Sequence, residues 1–236
     1  MYVAVSFYVW QLNFIYIYEY LNISIFYDKI NRKVELSQQI YIEQLLKQFN
    51  IMPDPLVTTP MQDTLHLPLE EEINVTRARM AYVDKFPYRE LIGVILYLNV
   101  CTRPDVSYAI SFLAKFNSKP TFLACKALWR LAKYLYNTRE VKLTLGGGAK
   151  GPYQVAYSDS DWASCKVTRK SRTGCIVFLG NGPVAWYSKM QTIVALSSFE
   201  AEYIAYVPTI QLCNHIRKIL KSINIVYQSG QIIKLL

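Results

Sequence analysis

The stretch YQVAYSDSDWASCKVTRKSRTGCIVFLGNGPVAWYSKM, residues 153–190, decides the fold of the second half of the chain. Three of its runs are rich in β-branched and aromatic residues and predict strands: YQVAYSDS (153–160), GCIVFLG (174–180) and PVAWYSKMQTIVAL (183–196). The GNG between the last two runs is a turn signal. A helix predicted from Phe199 to about Ile223 follows and could cross to a fourth strand, QIIKLL, at residues 231–236. The order predicts a mixed α/β unit.

Composition excludes a disordered, highly charged tail. Of the 236 residues, 52% are hydrophobic and only 18% are charged, which is enough apolar material for one large domain or two small ones. The formal net charge is +9. This excess permits a polyanionic partner such as nucleic acid, although a basic balance alone says nothing about fold.

Histidine and cysteine do not indicate a metal centre. The five cysteines include no C-x-x-C pair, and His66 and His215 lie far apart in the sequence. An odd number of scattered cysteines favours free thiols in a reducing compartment over a disulfide framework or a zinc site. We therefore expect an intracellular protein of the cytoplasm or nucleus.

The apolar start of the chain needs its own interpretation. No Lys or Arg precedes Lys29, so the segment lacks the basic region of a signal peptide. The run up to Ile17 is near the lower limit for a membrane span, and Gln11 and Asn13 interrupt it. Its Tyr, Val, Phe and Ile residues favour a buried strand. A membrane anchor is the weaker alternative.

Apolar residues at helical spacing predict four helices before residue 140. They lie in IYIEQLLKQFNI (40–51), PYRELIGVILYLNV (87–100), TRPDVSYAISFLAKF (102–116) and CKALWRLAKYL (125–135). Lys126, Arg130 and Lys133 share one face of the last helix, for which a solvated surface is the more common explanation than phosphate binding. TTPMQDTLHLPLEEE (58–72) and GGGAKGP (146–152) are interpreted as linkers.

Two aspartates, one in the last part of the first predicted strand and one directly after it, are candidate metal ligands. Asp159 and Asp161 alternate along it, so both side chains share one face and spacing alone excludes neither. If the strand ends at Ser160, Asp161 belongs to the following turn. From the residues alone, both aspartates remain candidates.

Glu200 and Glu202 both lie at the start of the long helix but point in different directions. Ser197 and Glu200 fit the S-x-x-E capping box, in which the Glu side chain turns back to the backbone of the cap residue. Glu202 is two residues further on, about 200° around the helix. Glu200 is therefore predicted to cap the helix, and Glu202 is left for another role.

These stretches together resemble one family. The strand end YSDSDWA, the turn RKS, the hairpin segment GPVAWYSKMQ and the helix start ALSSFEAEY are similar to the ribonuclease H region of copia-type retrotransposon polyproteins. YRELIGVILYLNVCTRPDVSYAISFLAKF resembles their connection segment, and ELSQQIYIEQLLKQFNIMPDPLVTTPM resembles the end of their reverse transcriptase. The resemblance extends from roughly Tyr20 to Leu220.

The resemblance implies three domains: a reverse transcriptase remnant (1–61), a mostly helical connection segment with linker (62–150) and a truncated ribonuclease H-like sheet with helices (151–236). The implied activity is hydrolysis of the RNA strand of an RNA–DNA hybrid, with two Mg²⁺ ions held by clustered carboxylates. The family pattern places its first carboxylate at Asp159 and its catalytic Glu at Glu202. Both are thus predicted catalytic residues and metal ligands.

Two motifs of the family are incomplete in this sequence. The family has further carboxylates after the long helix, whereas no Asp or Glu follows Glu202 here. YVDK, residues 82–85, has Lys85 where the polymerase motif Y-V-D-D has its second Asp, and we interpret it as a linker. We expect no polymerase activity, and little or no ribonuclease H activity from this chain alone.

A basic turn offers a function that needs no metal. Lys166, Arg169, Lys170 and Arg172 are predicted to contact the phosphates of an RNA–DNA hybrid or another nucleic acid. The remainder of a retrotransposon polyprotein is a second expected partner. The alternatives are a non-catalytic nucleic-acid-binding remnant and a small membrane-associated host protein.

Overall fold

The computed structural model describes residues 15–62, 76–148, 153–224 and 231–235. Within these ranges the chain forms eight strands and six α-helices: β1 (Ile15–Tyr20), β2 (Ile23–Asp28), β3 (Lys33–Ser37), α1 (Gln39–Gln48), α2 (Arg77–Lys85), α3 (Tyr88–Cys101), α4 (Ser107–Leu113), α5 (Phe122–Asn137), β4 (Leu143–Gly146), β5 (Gln154–Asp161), β6 (Arg172–Leu179), β7 (Gly182–Met190), α6 (Ser198–Ser222) and β8 (Gln231–Leu235). The predicted mixed α/β class is confirmed. Across the described helices, none has the length and apolar character needed to cross a membrane.

The chain divides into two compact units. The first includes Tyr18–Ser24 and Leu36–Lys142, and the second includes Ile25–Glu35 and Leu143–Leu236. The domain boundaries derived from the resemblance stay predictions. The membrane alternative for the start of the chain concerns residues that mostly lie outside the described ranges.

The first unit contains helices α1 to α5 around one apolar core. Leu91, Ile95 and Leu98 of α3 recur at helical spacing and are completely buried. They pack against Leu128 and Leu131 of α5. The helical interpretation of this region is confirmed, and Pro104 opens a short 3₁₀ turn before α4, where its missing N–H is tolerated.

One prediction in this unit is wrong. The linker interpretation of YVDK does not hold, because Tyr82 to Lys85 form the second half of α2. Tyr82 makes an edge contact with the ring of Phe122 at the start of α5, with the two ring centroids 5.4 Å apart. This aromatic contact stabilises α2, a short helix whose polar sequence alone would not make it stable.

Arg103 is the most buried charged side chain of the first unit, at 1% exposure. Its guanidinium donates to both carboxylate oxygens of Asp105, at 2.9 and 2.7 Å, and to Thr138 Oγ1 at 2.6 Å. Tyr134 donates its hydroxyl to the same carboxylate at 2.8 Å. Burial raises the pKa of Asp105, but the hydrogen bonds and charge of Arg103 outweigh it and lower that pKa below its ordinary value.

A four-stranded sheet of order β1-β2-β3-β4 is not anticipated by the sequence beyond the strand tendency at its start. Its strands are four to six residues long, too short for a clear alternation of apolar and polar residues. Gly146, expected in a linker, is the last residue of β4 and has φ 78°. A Cβ there would collide with the carbonyl oxygen of Arg32, so only glycine fits. Residues 149–152 of that predicted linker lie outside the described ranges.

The second sheet has the order β7-β6-β5-β8 and matches the predicted strands. β5 pairs antiparallel with β6, which pairs antiparallel with β7 across the turn at Gly180 to Gly182. β8 pairs parallel with β5, as expected for a strand reached by a helical crossover. β7 ends at Met190 rather than Leu196, because the chain turns inward at the buried Gln191.

Helix α6 covers one face of β5. Ala201, Ala205, Thr209 and Cys213 recur every fourth residue and are all completely buried. Cys213 O accepts from the side chain of Gln154 at the start of β5, 3.2 Å away. Thr209 and Ser158 hydroxyls meet further along, at 3.3 Å. The helix therefore runs antiparallel to β5, and its first turns lie at the C-terminal end of that strand.

The Arg103 network yields a stability prediction. Replacement of Arg103 by Leu leaves Asp105 without its cation and should lower the free energy of unfolding at pH 7 by about 3 kcal/mol, the lower end for a broken buried pair, because Asp105 is partly exposed. The measurement is urea unfolding followed by circular dichroism. The difference from wild type should shrink as pH falls below 3.8 and through the lowered pKa of Asp105, because protonation removes the pair in wild type too.

Lys133→Gln provides the matched control. It breaks the more exposed Lys133–Asp54 ion pair, whose N–O distance is 3.0 Å, and should cost less than about 1 kcal/mol. Equal losses for the two variants would contradict a special role for Arg103.

Candidate functional site

The start of α6 is fixed by its cap. Ser197 Oγ accepts from the backbone N–H of Glu200 at 3.1 Å, as the capping box predicts. Glu200 Oε2 turns back and accepts from the N–H of Leu196 at 2.7 Å, one residue before the cap. The capping role predicted for Glu200 is confirmed, with its return bond shifted by one residue.

Glu202 points to the end of β5. Its Oε1 accepts from the backbone N–H of Ser160 at 3.1 Å, which joins the first turns of the helix to the C-terminal end of the strand. Ser158 and Ser160 lie on the face of β5 that α6 covers. Sequence analysis missed Ser160, because a backbone N–H donor leaves no mark in the identity of a residue.

Asp159 lies beside this contact with its side chain exposed. Its partner across the β5–β6 ladder is Gly174. Apart from Gly174 itself and its two chain neighbours, no described atom lies within 4 Å of the place where a Cβ of Gly174 would stand. The space next to the Asp159 carboxylate is therefore open, which sequence analysis also did not anticipate.

The environment of Glu202 raises the pKa of its carboxyl group. Burial is the largest cause, and the negative charge of Asp159 acts in the same direction. The N–H of Ser160 opposes both by stabilising the charged form. The carboxylates of Asp159 and Glu202 thus interact electrostatically at the end of β5.

Asp161 does not share this relation. β5 continues through Asp161 rather than ending at Ser160, and Asp161 lies opposite Arg172 in the ladder. Unlike Asp159, Asp161 is not among the groups whose charge raises the pKa of Glu202. The choice of Asp159 rather than Asp161 as a site residue stays a prediction.

The donor set suits a hard divalent cation in part. Both side chains offer carboxylate oxygens, the ligands that Mg²⁺ prefers. Glu202 Oε2 is buried, and within the described ranges no hydrogen-bond donor reaches it. Those ranges hold no group of three or more His, Cys, Asp or Glu residues suited to a metal ion. Two carboxylates are therefore only part of the cluster that the resemblance implies.

The basic loop between β5 and β6 is ordered by its own backbone. The N–H of Cys165 donates to Lys170 O at 3.1 Å, and the N–H of Arg169 donates to Cys165 O at 2.7 Å. The buried Cys165 side chain anchors the loop. Lys166 and Arg169 are exposed and Lys170 is half-buried, so these three cations can reach a partner.

Arg172, which was predicted to contact phosphates, is not part of the exposed basic surface. It begins β6 and is only 3% exposed, and its Nη1 donates to Ser188 Oγ on β7 at 3.3 Å. The strand turns this side chain inward, away from the loop. Trp162, at the start of this loop, is 47% exposed and donates its indole N–H to Ala195 O at 3.1 Å.

Known proteins share most of this sequence. The chain is 35% identical over 190 residues to the retrovirus-related Pol polyprotein from transposon TNT 1-94 of Nicotiana tabacum, a match to 80% of this chain and 14% of the relative. It is 39% identical to the Pol polyprotein from transposon RE1 of Arabidopsis thaliana, over 72% of this chain and 11% of the relative. No protein-family model and no solved structure matches the chain.

A third relative is similar in extent. An uncharacterized mitochondrial protein of Arabidopsis thaliana is 36% identical over 170 residues, which cover 72% of this chain and 67% of that protein. The chain spans about a seventh or less of the two polyproteins. These matches show that the chain belongs to the family of retrovirus-related Pol polyproteins of copia-type transposons.

Proposed function

We propose that this chain is the part of a copia-type Pol polyprotein that joins the end of the reverse transcriptase to a ribonuclease H-like domain. In this proposal β5 to β8 and α6 form the ribonuclease H-like sheet and its first covering helix. Asp159 and Glu202 supply two of the carboxylates for cleavage of RNA in RNA–DNA hybrids. The bond from Ser160 to Glu202, which sets Glu202 beside Asp159, is the observation that carries the proposal.

Asp159 and Glu202 would hold Mg²⁺ between them. When bound, this ion supplies charge neutralisation at the phosphate and a more acidic water molecule. The chain itself contributes the orientation of both carboxylates. The Ser160 N–H holds Glu202 Oε1, and among the described residues the buried Oε2 has no hydrogen-bond partner that would compete with the ion. Gly174 keeps the side of Asp159 clear for a sugar–phosphate backbone.

Two carboxylates do not complete a two-metal site. Each missing ligand weakens ion binding, and no Asp or Glu follows Glu202 in the 236 residues. We propose that cleavage needs carboxylates from further parts of a Pol polyprotein, which would then be a partner of this chain.

Hydrolysis by the purified chain is the test of this incompleteness. With labelled RNA–DNA hybrid and Mg²⁺, we expect no cleavage of the RNA strand above that of the Asp159→Asn variant. Denaturing gels measure the product. Cleavage by the wild type that disappears in Asp159→Asn but persists in Asp161→Asn would show that the chain is a complete nuclease and would contradict the proposal.

The raised pKa of Glu202 predicts how stability depends on pH. Folding favours the protonated form of Glu202 over the ionised form. The stability that the protonated carboxyl group contributes is fully present below pH 4.5 and is lost as pH rises through the raised pKa. Glu202→Gln keeps an oxygen acceptor for the Ser160 N–H. At pH 7 this variant should have a higher Tm than wild type, and the difference should vanish below pH 4.5. Calorimetry across this range measures it.

Glu200→Gln is the control for this comparison. Glu200 caps the same helix and its carboxylate lies near the positive end of the helix dipole, so its neutralisation should not raise Tm at pH 7. A Tm gain in Glu200→Gln equal to that in Glu202→Gln would show a general charge effect rather than the local one.

A second candidate function, retention of nucleic acid without cleavage, is favoured by the exposed cations of the loop. Lys166, Arg169 and Lys170 lie within one tight turn that follows the β5 end carrying Asp159. Binding through phosphates requires charge and spacing but no metal. The loop would hold a duplex whose RNA strand reaches the open side of Asp159.

Binding should therefore depend on salt and on this loop. We expect Lys166→Gln/Arg169→Gln to weaken binding of a short RNA–DNA hybrid and to lower the slope of log K against log salt by about 1.5. Fluorescence anisotropy across salt concentrations measures both. Lys218→Gln/Lys221→Gln, which removes the same charge from exposed positions near the end of α6, should leave the slope almost unchanged. Equal losses in both pairs would mean that only net charge matters.

A further inference from the structure

Gln191 is a buried amide that the reaction proposed above does not use. It directly follows β7 and is 7% exposed. Its Nε2 lies 2.9 Å from Ala201 O, 3.1 Å from Thr173 Oγ1 and 3.2 Å from Ser160 Oγ. These three acceptors belong to α6, β6 and β5, so one side chain connects a helix and two strands.

The chemistry of these partners fixes the orientation of the amide. Ala201 O is a backbone carbonyl and only accepts, so the nitrogen of Gln191 rather than its oxygen must face it. An amide nitrogen has two hydrogens. Ala201 O takes one of them, and the hydroxyl oxygens of Thr173 and Ser160 share the other. The backbone of Gln191 is fixed as well, because its N–H donates to Ser171 O at 2.9 Å.

The bonds of Gln191 close a ring around the carboxylate of Glu202. Gln191 holds Ser160 through its hydroxyl, and the backbone N–H of the same Ser160 donates to Glu202 Oε1. Gln191 also holds the carbonyl of Ala201, the residue before Glu202. Both ends of the Ser160–Glu202 contact are therefore attached to one buried amide.

We propose that Gln191 is a positioning residue that sets the Ser160 N–H and the first turns of α6 so that the Glu202 carboxylate is aimed at the cation shared with Asp159. This inference rests on the proposed function for the identity of that cation. Gln191 touches neither the cation nor the nucleic acid, and it acts only through Ser160 and Ala201. Partners that orient a ligand in this way commonly affect metal affinity about 10- to 100-fold.

A purely structural role makes a different prediction. If Gln191 only joined α6 to the sheet, its loss would lower stability but leave the local Ser160–Glu202 bond as it is. Thr209 provides the matched comparison, because its hydroxyl joins the same helix to β5 through Ser158, at 3.3 Å, two residues before Ser160. Thr209→Val removes a buried polar contact of the same interface without touching the ring.

The test uses the full chain and two variants of the ring. Gln191→Met keeps the length and flexibility of the side chain and removes the amide. Ser160→Ala removes only the hydroxyl that Gln191 holds and keeps the backbone N–H that Glu202 accepts. For each protein, NMR gives the chemical shift and the exchange rate of the backbone amide proton at position 160. Titration with MgCl₂ alone gives the affinity for Mg²⁺.

In Gln191→Met we expect the amide proton at position 160 to move upfield and exchange faster, and Mg²⁺ affinity to fall about 10-fold. Ser160→Ala should change exchange and affinity in the same direction, whereas Thr209→Val should change neither. An unchanged amide and unchanged affinity in folded Gln191→Met would overturn the proposal. If Gln191→Met does not fold, Ser160→Ala decides by the same criteria.

The Mg²⁺ titration and the amide proton at position 160 report separately on the metal role of Asp159 and Glu202 and on the positioning role of Gln191. If the wild-type chain binds no Mg²⁺ at Asp159 and Glu202, the proposed metal role fails, while the amide shift and exchange at position 160 still report on Gln191. If the wild type binds Mg²⁺ with the expected ligands and the amide at position 160 is unchanged in Gln191→Met, only the positioning role is wrong.

Discussion

The close packing of α6 on β5 is the interaction on which the candidate site depends. Ala201, Ala205, Thr209 and Cys213 place small side chains at every fourth position, which lets the helix approach the strand closely. Because the helix runs antiparallel to β5, its first turns reach the end of the strand that bears Asp159. A single backbone bond from Ser160 then fixes the Glu202 carboxylate there. Larger side chains at these four positions would push α6 away from β5 and move the Glu202 carboxylate away from that of Asp159.

This arrangement has an energetic cost that points to a function. Glu202 loses water on burial and lies beside a second negative charge, and both effects raise its pKa. Only the Ser160 N–H offsets them among its described contacts. A carboxyl group whose pKa is shifted by burial and by a neighbouring charge is a candidate for a functional site. The first unit shows the contrast, since Arg103 neutralises Asp105 inside the protein.

Sequence patterns predicted the features that local chemistry determines. The strands of the second sheet, the long helix and its Ser197 cap follow from alternation, turn residues and capping preferences within a few neighbouring positions. The strands β2 to β4 and helix α2 were missed because short elements depend on tertiary partners. Arg172 is buried rather than exposed with the other loop cations, because the start of β6 decides which side chains turn inward. The Ser160 bond and the contacts of Gln191 join residues distant in sequence, and residue type alone does not predict them.

The position of a bound divalent ion would test the pairing of Asp159 with Glu202. Crystals soaked in MnCl₂ and measured at the manganese absorption edge locate the ion by its anomalous scattering. We predict a peak within coordination distance of one oxygen each of Asp159 and Glu202, and its loss in crystals of Glu202→Gln. A peak held by Asp161 without Glu202, or no peak near the end of β5, would contradict it.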